Sequence, residues 1–234
     1  MVEELDPRKL IAEVVGVFTL VFAGAGSVIL SVAHANVNLV AIALAHGLAF
    51  GLMVAALGHI SGAHFNPAVT LGMWVTRRIG TPGAVGYILA QMLGGTLAAL
   101  ALWGLFPQSM HEPVALGAPL LAPQIEFLQG VGIEAILTFF LVTVIFGTAV
   151  DRRGPGVVSG LAIGLAITMG MLAAQPLTGG MINPARAFGP ALLSGEWTDQ
   201  LVYWIGPIIG GVVAALLYQY VFLEDREDLE ARHP

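Results

Sequence analysis

The feature that most constrains this chain is its alternation of long and half-length apolar runs. Six runs are near membrane-spanning length, approximately Leu10–Val32, Leu39–Gly58, Gly83–Leu105, Glu126–Val150, Val157–Ala174 and Leu201–Leu223. A helix rises about 1.5 Å per residue and a bilayer core is about 30 Å thick, so each run predicts one crossing. Two further runs, Pro67–Thr76 and Pro184–Leu193, are half that long. They cannot span, and a segment that stops at mid-depth must be surrounded by protein. The expected fold class is an all-α membrane protein with six transmembrane helices and two half-membrane re-entrant helices. Composition excludes a soluble domain: of 234 residues 57% are hydrophobic and 10% charged, with mean hydropathy +0.85. Without cysteine there is no disulfide framework, thiolate metal site or cysteine nucleophile. The N-terminus reads as lacking a signal peptide, because acidic residues come first and the first apolar run is long with no evident cleavage site.

Both short runs begin in the same way. The second reads Gly179-Gly180-Met181-Ile182-Asn183-Pro184-Ala185-Arg186-Ala187-Phe188-Gly189, and the first Ser61-Gly62-Ala63-His64-Phe65-Asn66-Pro67-Ala68-Val69. In each, glycine allows a tight turn, asparagine is a favoured N-cap and proline suits the first helical position. One Asn-Pro-Ala is only a capped helix start; two in equivalent places are far more specific.

The spans repeat as well. Ala12-Glu13-Val14-Val15-Gly16-Val17-Phe18 in the first is echoed by Ile133-Glu134-Ala135-Ile136-Leu137-Thr138-Phe139 in the fourth. Residues 1–234 form one channel-like domain of two repeats, approximately 8–105 and 124–223, with 224–234 as a cytoplasmic tail. Three crossings per repeat give the copies opposite orientations, which predicts a site at the midplane with Asn66 and Asn183 tip to tip. Of the nine basic residues, Arg8, Lys9, Arg77, Arg78, Arg152, Arg153, Arg226 and Arg232 fall on one side of this topology. That side, with both termini, is expected to be cytoplasmic. Only Arg186 departs from it, in the first turn of the second half-helix. An arginine in a buried re-entrant segment is expected to face an aqueous cavity rather than lipid.

Two helix N-termini at one point carry positive partial charge and repel cations. Asn66 and Asn183 offer amide donors to a file of oxygen acceptors, turning each water so that its hydrogens point away on both sides. That interrupts proton relay. Gly62, Ala63 and His64, with Gly179, Gly180 and Met181, can supply a ladder of carbonyl acceptors. His64 either lines the inner mouth or caps its loop, and His59 reads as structural. Glu13 and Glu134 are expected to brace the re-entrant loops by accepting from their backbone N–H groups. Gly94-Gly95 and Gly210-Gly211 read as sites of close helix packing.

The two motifs, Asn66-Pro67-Ala68 and Asn183-Pro184-Ala185 in their flanking loops, resemble the signatures of the aquaporins, the major intrinsic protein family, and the likeness runs over essentially the whole chain. The resemblance implies a right-handed bundle, an integral protein of the cell (plasma or inner) membrane, a homotetramer with one pathway per subunit, and no cofactor or metal. By the family's spacing its narrowest ring falls on His46, Met171, Gly180 and Arg186. Strict water channels typically have an aromatic where His46 stands and a histidine where Met171 stands; this ring is similar to that of tonoplast intrinsic proteins, some of which resemble channels that also pass ammonia. Ala187, Ala191, Tyr203 and Trp204 resemble the water type rather than glycerol facilitators. The expected function is a passive water channel that excludes ions and protons and also admits small neutral solutes such as ammonia. The alternatives are an ammonia channel of the same fold and a proton-coupled secondary transporter using Glu13 and Glu134. A purely structural junction leaves Arg186 unexplained, and no enzyme motif or nucleic-acid-binding feature is present.

Overall fold

The computed structural model describes residues 6–223, and every regular element among them is helical. In chain order these are α1 (Pro7–Ala33), α2 (Leu39–Ser61), α3 (Pro67–Val75), α4 (Thr81–Leu105), the short α5 (Gln108–His111), α6 (Phe127–Ile145), α7 (Ser159–Thr178), α8 (Pro184–Ser194) and α9 (Val202–Leu217). A π-turn extends α6 through Val150 and α9 through Phe222; with these, six helices are long and apolar enough to cross a membrane. The chain is an integral membrane protein with six spans, and α3 and α8 are the two helices of about half that length among the described residues. The 224–234 tail, with Arg226 and Arg232, lies outside the described residues.

The caps explain where helices start. Asp6 accepts from Arg8 N at 2.9 Å, and Asn38 accepts from Val40 N and Ala41 N at 3.0 and 3.2 Å, satisfying N–H groups that a first helical turn leaves over. The apolar runs underestimate two ends. α2 continues past Gly58 to Ser61, and α7 past Ala174 to Thr178, each stopping at a left-handed glycine, Gly62 at φ +84° and Gly179 at φ +87°. In each final turn the last residue, Ser61 or Thr178, is buried and spends its hydroxyl on a glutamate, while His59 and Pro176 are exposed, so hydrophobicity fades before the helix does.

Packing follows the repeat. α1 lies against α2 and α4, α6 against α7 and α9, and α2 against α7, while α8 seats on α4 and α3 on α9. The glycine pairs form both seats. Gly94 meets the Val14 carbonyl of α1, and Gly210 the Ala135 carbonyl of α6, too closely for any side chain. A β-carbon on Gly95 would lie 2.5 Å from the Ala185 carbonyl of α8, and on Gly211 2.9 Å from the Ala68 carbonyl of α3. One glycine of each pair therefore admits a long helix and the next a half-helix.

At the end carrying Arg8, Arg78 and Arg153, loops are stapled to the last turn of α9. Arg153 pairs with Asp151 at 2.7 Å and donates to the Phe222 carbonyl at 2.6 Å, and Tyr218 OH donates to Asp151 at 3.3 Å. Arg78 lies 5.5 Å from the centre of the Phe146 ring and bonds Gln219 at 2.7 Å. The Arg153 hydrogen bonds hold the Asp151 carboxyl down at about 2. Since the folded value lies below the unfolded one near 3.8, the staple's contribution is complete above that range and fades as pH falls through about 2. An Asp151→Asn protein should melt a few degrees below wild type in detergent at pH 7, with the gap closing only below about pH 4. A gap already closed at pH 5 would remove Asp151 from the staple.

Candidate functional site

The two loops before α3 and α8 are built alike. Glu13 of α1 accepts from Ser61 Oγ at 2.7 Å, His64 N at 3.0 Å and Phe65 N at 2.6 Å. Glu134 of α6 accepts from Thr178 Oγ1 at 2.6 Å, Met181 N at 3.0 Å and Ile182 N at 2.7 Å. Both carboxylates are wholly buried. These bonds hold conformations the sequence would not adopt alone: Phe65 at φ +48° and Ile182 at φ +45°, immediately before each asparagine. Left-handed backbone at a β-branched or bulky residue costs about 1–3 kcal/mol, and hydrogen bonds to a charged group, about 1.5–3 kcal/mol each, offset it.

The turned Phe65 and Ile182 peptides present their carbonyls to the opposite loop. Asn66 Nδ2 donates to the Ile182 carbonyl at 2.7 Å, and Asn183 Nδ2 to the Phe65 carbonyl at 2.8 Å. Each asparagine oxygen is held by its own helix, Asn66 Oδ1 by Ala68 N at 2.9 Å and Asn183 Oδ1 by Ala185 N at 3.0 Å and Arg186 N at 3.3 Å. A carboxamide nitrogen carries two protons. One is used across the loops, so each asparagine keeps one donor. Pro67 and Pro184 occupy the first helical positions, and the N-termini of both half-helices bring their positive dipole ends to the same point.

Beside the asparagines the molecule narrows. His46, Met171, Gly180 and Arg186 come together there with Leu20, Leu141 and Ile167, around a cavity of about 10 Å³, enough for about one water. Arg186 is 1% exposed and has no carboxylate partner among the described residues. Its Nε donates to His46 Nε2 at 3.1 Å and its Nη1 to the Gly117 carbonyl at 2.9 Å, while Nη2 has no partner among the described residues. His46 Nδ1 lies 2.8 Å from the Ile42 carbonyl. A carbonyl only accepts, so Nδ1 carries the proton, Nε2 is the acceptor for arginine, and the ring is neutral.

The remaining expected residues are also in the loops. Gly62 and Gly179 cap α2 and α7; the carbonyls of Gly62, Ala63, His64, Gly179 and Met181 accept no hydrogen bond from the described residues. The His64 ring bonds Thr70 at 3.2 Å and stands edge-on to Tyr87, 5.0 Å between centres. Gln91 ties this half together, donating to Glu13 at 2.7 Å and Thr70 at 2.9 Å. Sequence reasoning missed Gln91, Ser61 and Thr178 as loop anchors and Gly117 as the arginine's acceptor. Ser61 and Thr178 were findable, being small hydroxyls at equivalent places in the repeat. Gly117 was not, since a backbone carbonyl carries no residue signature. Among the described residues no cluster of His, Asp or Glu could hold a metal ion.

Comparison with known proteins places this geometry in context. Residues 3–218 match the family model described as Major intrinsic protein. The chain is similar to Aquaporin TIP4-4 of Zea mays, 45% identical over 224 residues covering 92% of this chain and 87% of the relative. It is similar to Aquaporin NIP1-1 of Zea mays at 43% over 216 residues, covering 92% and 74%. Among solved structures it superposes on the aquaglyceroporin from Plasmodium falciparum with a TM-score of 0.80 at 25% identity, covering 92% of this chain and 96% of that one.

Proposed function

The chain belongs to the major intrinsic protein family, and from that premise we propose that it is a passive transmembrane water channel that rejects ions and protons. The observation that carries this reading is the asparagine pair. Both Oδ1 atoms are held by helix N–H groups and both Nδ2 atoms are directed to the junction of the loops, so the two amides present donors rather than acceptors there. A water passing there must turn its oxygen inward, and neighbouring waters then face opposite ways, which breaks a proton wire. The dipole ends of α3 and α8 and the buried Arg186 charge oppose cations at the same level. The transporter alternative fares worse: Glu13 and Glu134 are buried and each accepts three or four hydrogen bonds, which suits bracing rather than proton exchange.

We take His46, Met171, Gly180 and Arg186 as the selectivity ring, and Gly62, Ala63, His64, Gly179 and Met181 as the carbonyl ladder on either side. The ring's two polar side chains, the neutral His46 imidazole and Arg186, are bonded to each other and stand with Met171 and Gly180, and this part-apolar lining supports ammonia as a second solute. The test is permeability to both in reconstituted liposomes, water by osmotic shrinkage and ammonia by an internal pH dye. His46→Phe should lower the ammonia-to-water ratio about threefold or more, a barrier change of about 0.7 kcal/mol. An unchanged ratio would move His46 out of the ring.

The basic residues at one end of the bundle support a topology with that end and both termini in the cytoplasm, the repeats spanning approximately 8–105 and 124–223. A homotetramer is supported by the α2–α7 face, where exposed Leu44, Leu48, Leu52, Leu161 and Leu165 flank an apolar groove of about 290 Å³. Light scattering of the detergent-solubilised protein checks it, and a monomer mass would rule it out.

A further inference from the structure

One face of α1 runs along the whole proposed pathway. Glu13 holds the first loop, Leu20 lines the narrow cavity, and one turn further on Gly24 faces the ring of His46. A β-carbon built on Gly24 would fall inside the van der Waals contact distance of imidazole Cδ2 and Nε2. The next residue, Ala25, plays a parallel part: a β-carbon on Gly117 would lie 2.9 Å from Ala25 Cβ and 3.1 Å from its Cα. Thus Gly24 backs His46, and Ala25 backs the peptide whose carbonyl holds Arg186 Nη1. Both partners of the buried guanidinium rest on adjacent residues of α1.

The repeat supplies an internal comparison. Counting eleven residues from Glu134, as Gly24 is eleven from Glu13, reaches Ile145; counting twenty back from Asn183, as His46 is twenty back from Asn66, reaches Ile163. Both isoleucines are buried. Where one repeat sets isoleucine and isoleucine, the other sets no side chain and an imidazole. We propose that Gly24 is a specificity-determining positioning residue. Its missing side chain sets how far His46 withdraws from the lumen, and so the bore of the ring and the hydrogen bond to Arg186. This rests on the ring assignment made above.

Adding a methyl at Gly24 leaves the helix backbone unstrained but must displace the imidazole, whose two nitrogens are both bonded, and Arg186 loses an acceptor. The test is a double-mutant cycle in liposomes with wild type, Gly24→Ala, His46→Ala and the double variant, reading water permeability, the ammonia-to-water ratio and melting temperature. Gly26→Ala serves as a packing control, since its β-carbon would meet the flexible Leu102 Cδ2 at 3.3 Å and Phe106 Cζ at an ordinary 3.8 Å. Gly24→Ala should lower water permeability about fivefold or more and change the solute ratio, yet alter His46→Ala less than twofold. Equal effects in both backgrounds, no effect in either, or an equal loss in Gly26→Ala would overturn the proposal. If Gly24→Ala does not fold, recovery of a folded protein in the double variant supports it and non-recovery overturns it. A wild type that conducts no water would sink the channel reading instead, while the melting-temperature cycle still reports whether Gly24 and His46 are coupled.

Discussion

Replacing Arg186 with valine should leave water permeability within about twofold of wild type while raising urea and cation leak about tenfold or more, equivalent to about 1.4 kcal/mol of barrier. Arg186 is buried, unpaired by any described carboxylate, and joined to His46 and Gly117 by one hydrogen bond each. Its removal takes a full positive charge from a low-dielectric constriction, where electrostatic barriers are largest. It also frees the volume of a guanidinium beside a cavity that holds about one water. Water needs no such barrier and does not depend on it. Stopped-flow shrinkage with a urea gradient and a potential-sensitive dye reads both quantities, and unchanged rejection would take Arg186 out of the ring.

A larger effect is expected at Glu134. Glu134→Ala strips acceptors from Thr178 Oγ1, Met181 N and Ile182 N, all buried. Each orphaned donor costs about 1–3 kcal/mol, and the left-handed Ile182 loses what holds it. The sum approaches the whole stability of an ordinary domain, about 5–15 kcal/mol. Osmotic flux should fall to that of empty liposomes, with a melting temperature lowered by well over ten degrees or no folded protein at all. Glu134→Gln, which keeps one acceptor oxygen, should fall between. The transporter reading expects otherwise: a relay carboxylate changed to glutamine folds and melts as wild type and loses only pH-driven flux. A normal melt for Glu134→Gln combined with that selective loss would favour it.

What the sequence made legible follows from the scale of each signal. Span count and half-helices were readable because bilayer thickness sets apolar length, and the six helices and two short ones are present. Helix ends were less so: α2 and α7 run on to Ser61 and Thr178, whose buried hydroxyls bond Glu13 and Glu134 and carry no apolar signal. The asparagine pair and the two glutamates stood out through repetition. The cross-loop bonds to the Phe65 and Ile182 carbonyls did not, since they depend on a peptide turned by an unfavourable φ that no residue type announces. Gly117 and Gly24 were hidden for the same reason, one acting by its carbonyl and the other by having no side chain.

The central claim is that water crosses this protein while protons do not, and one vesicle experiment addresses both. Liposomes carrying the wild-type chain and an internal pH dye would be given an osmotic jump and, separately, a pH step with potassium and valinomycin clamping the potential. Shrinkage about tenfold or more faster than empty liposomes, with a low activation energy and a pH trace no faster than theirs, is the predicted result. Shrinkage at the empty-liposome rate, or water flux accompanied by rapid proton equilibration, would contradict it.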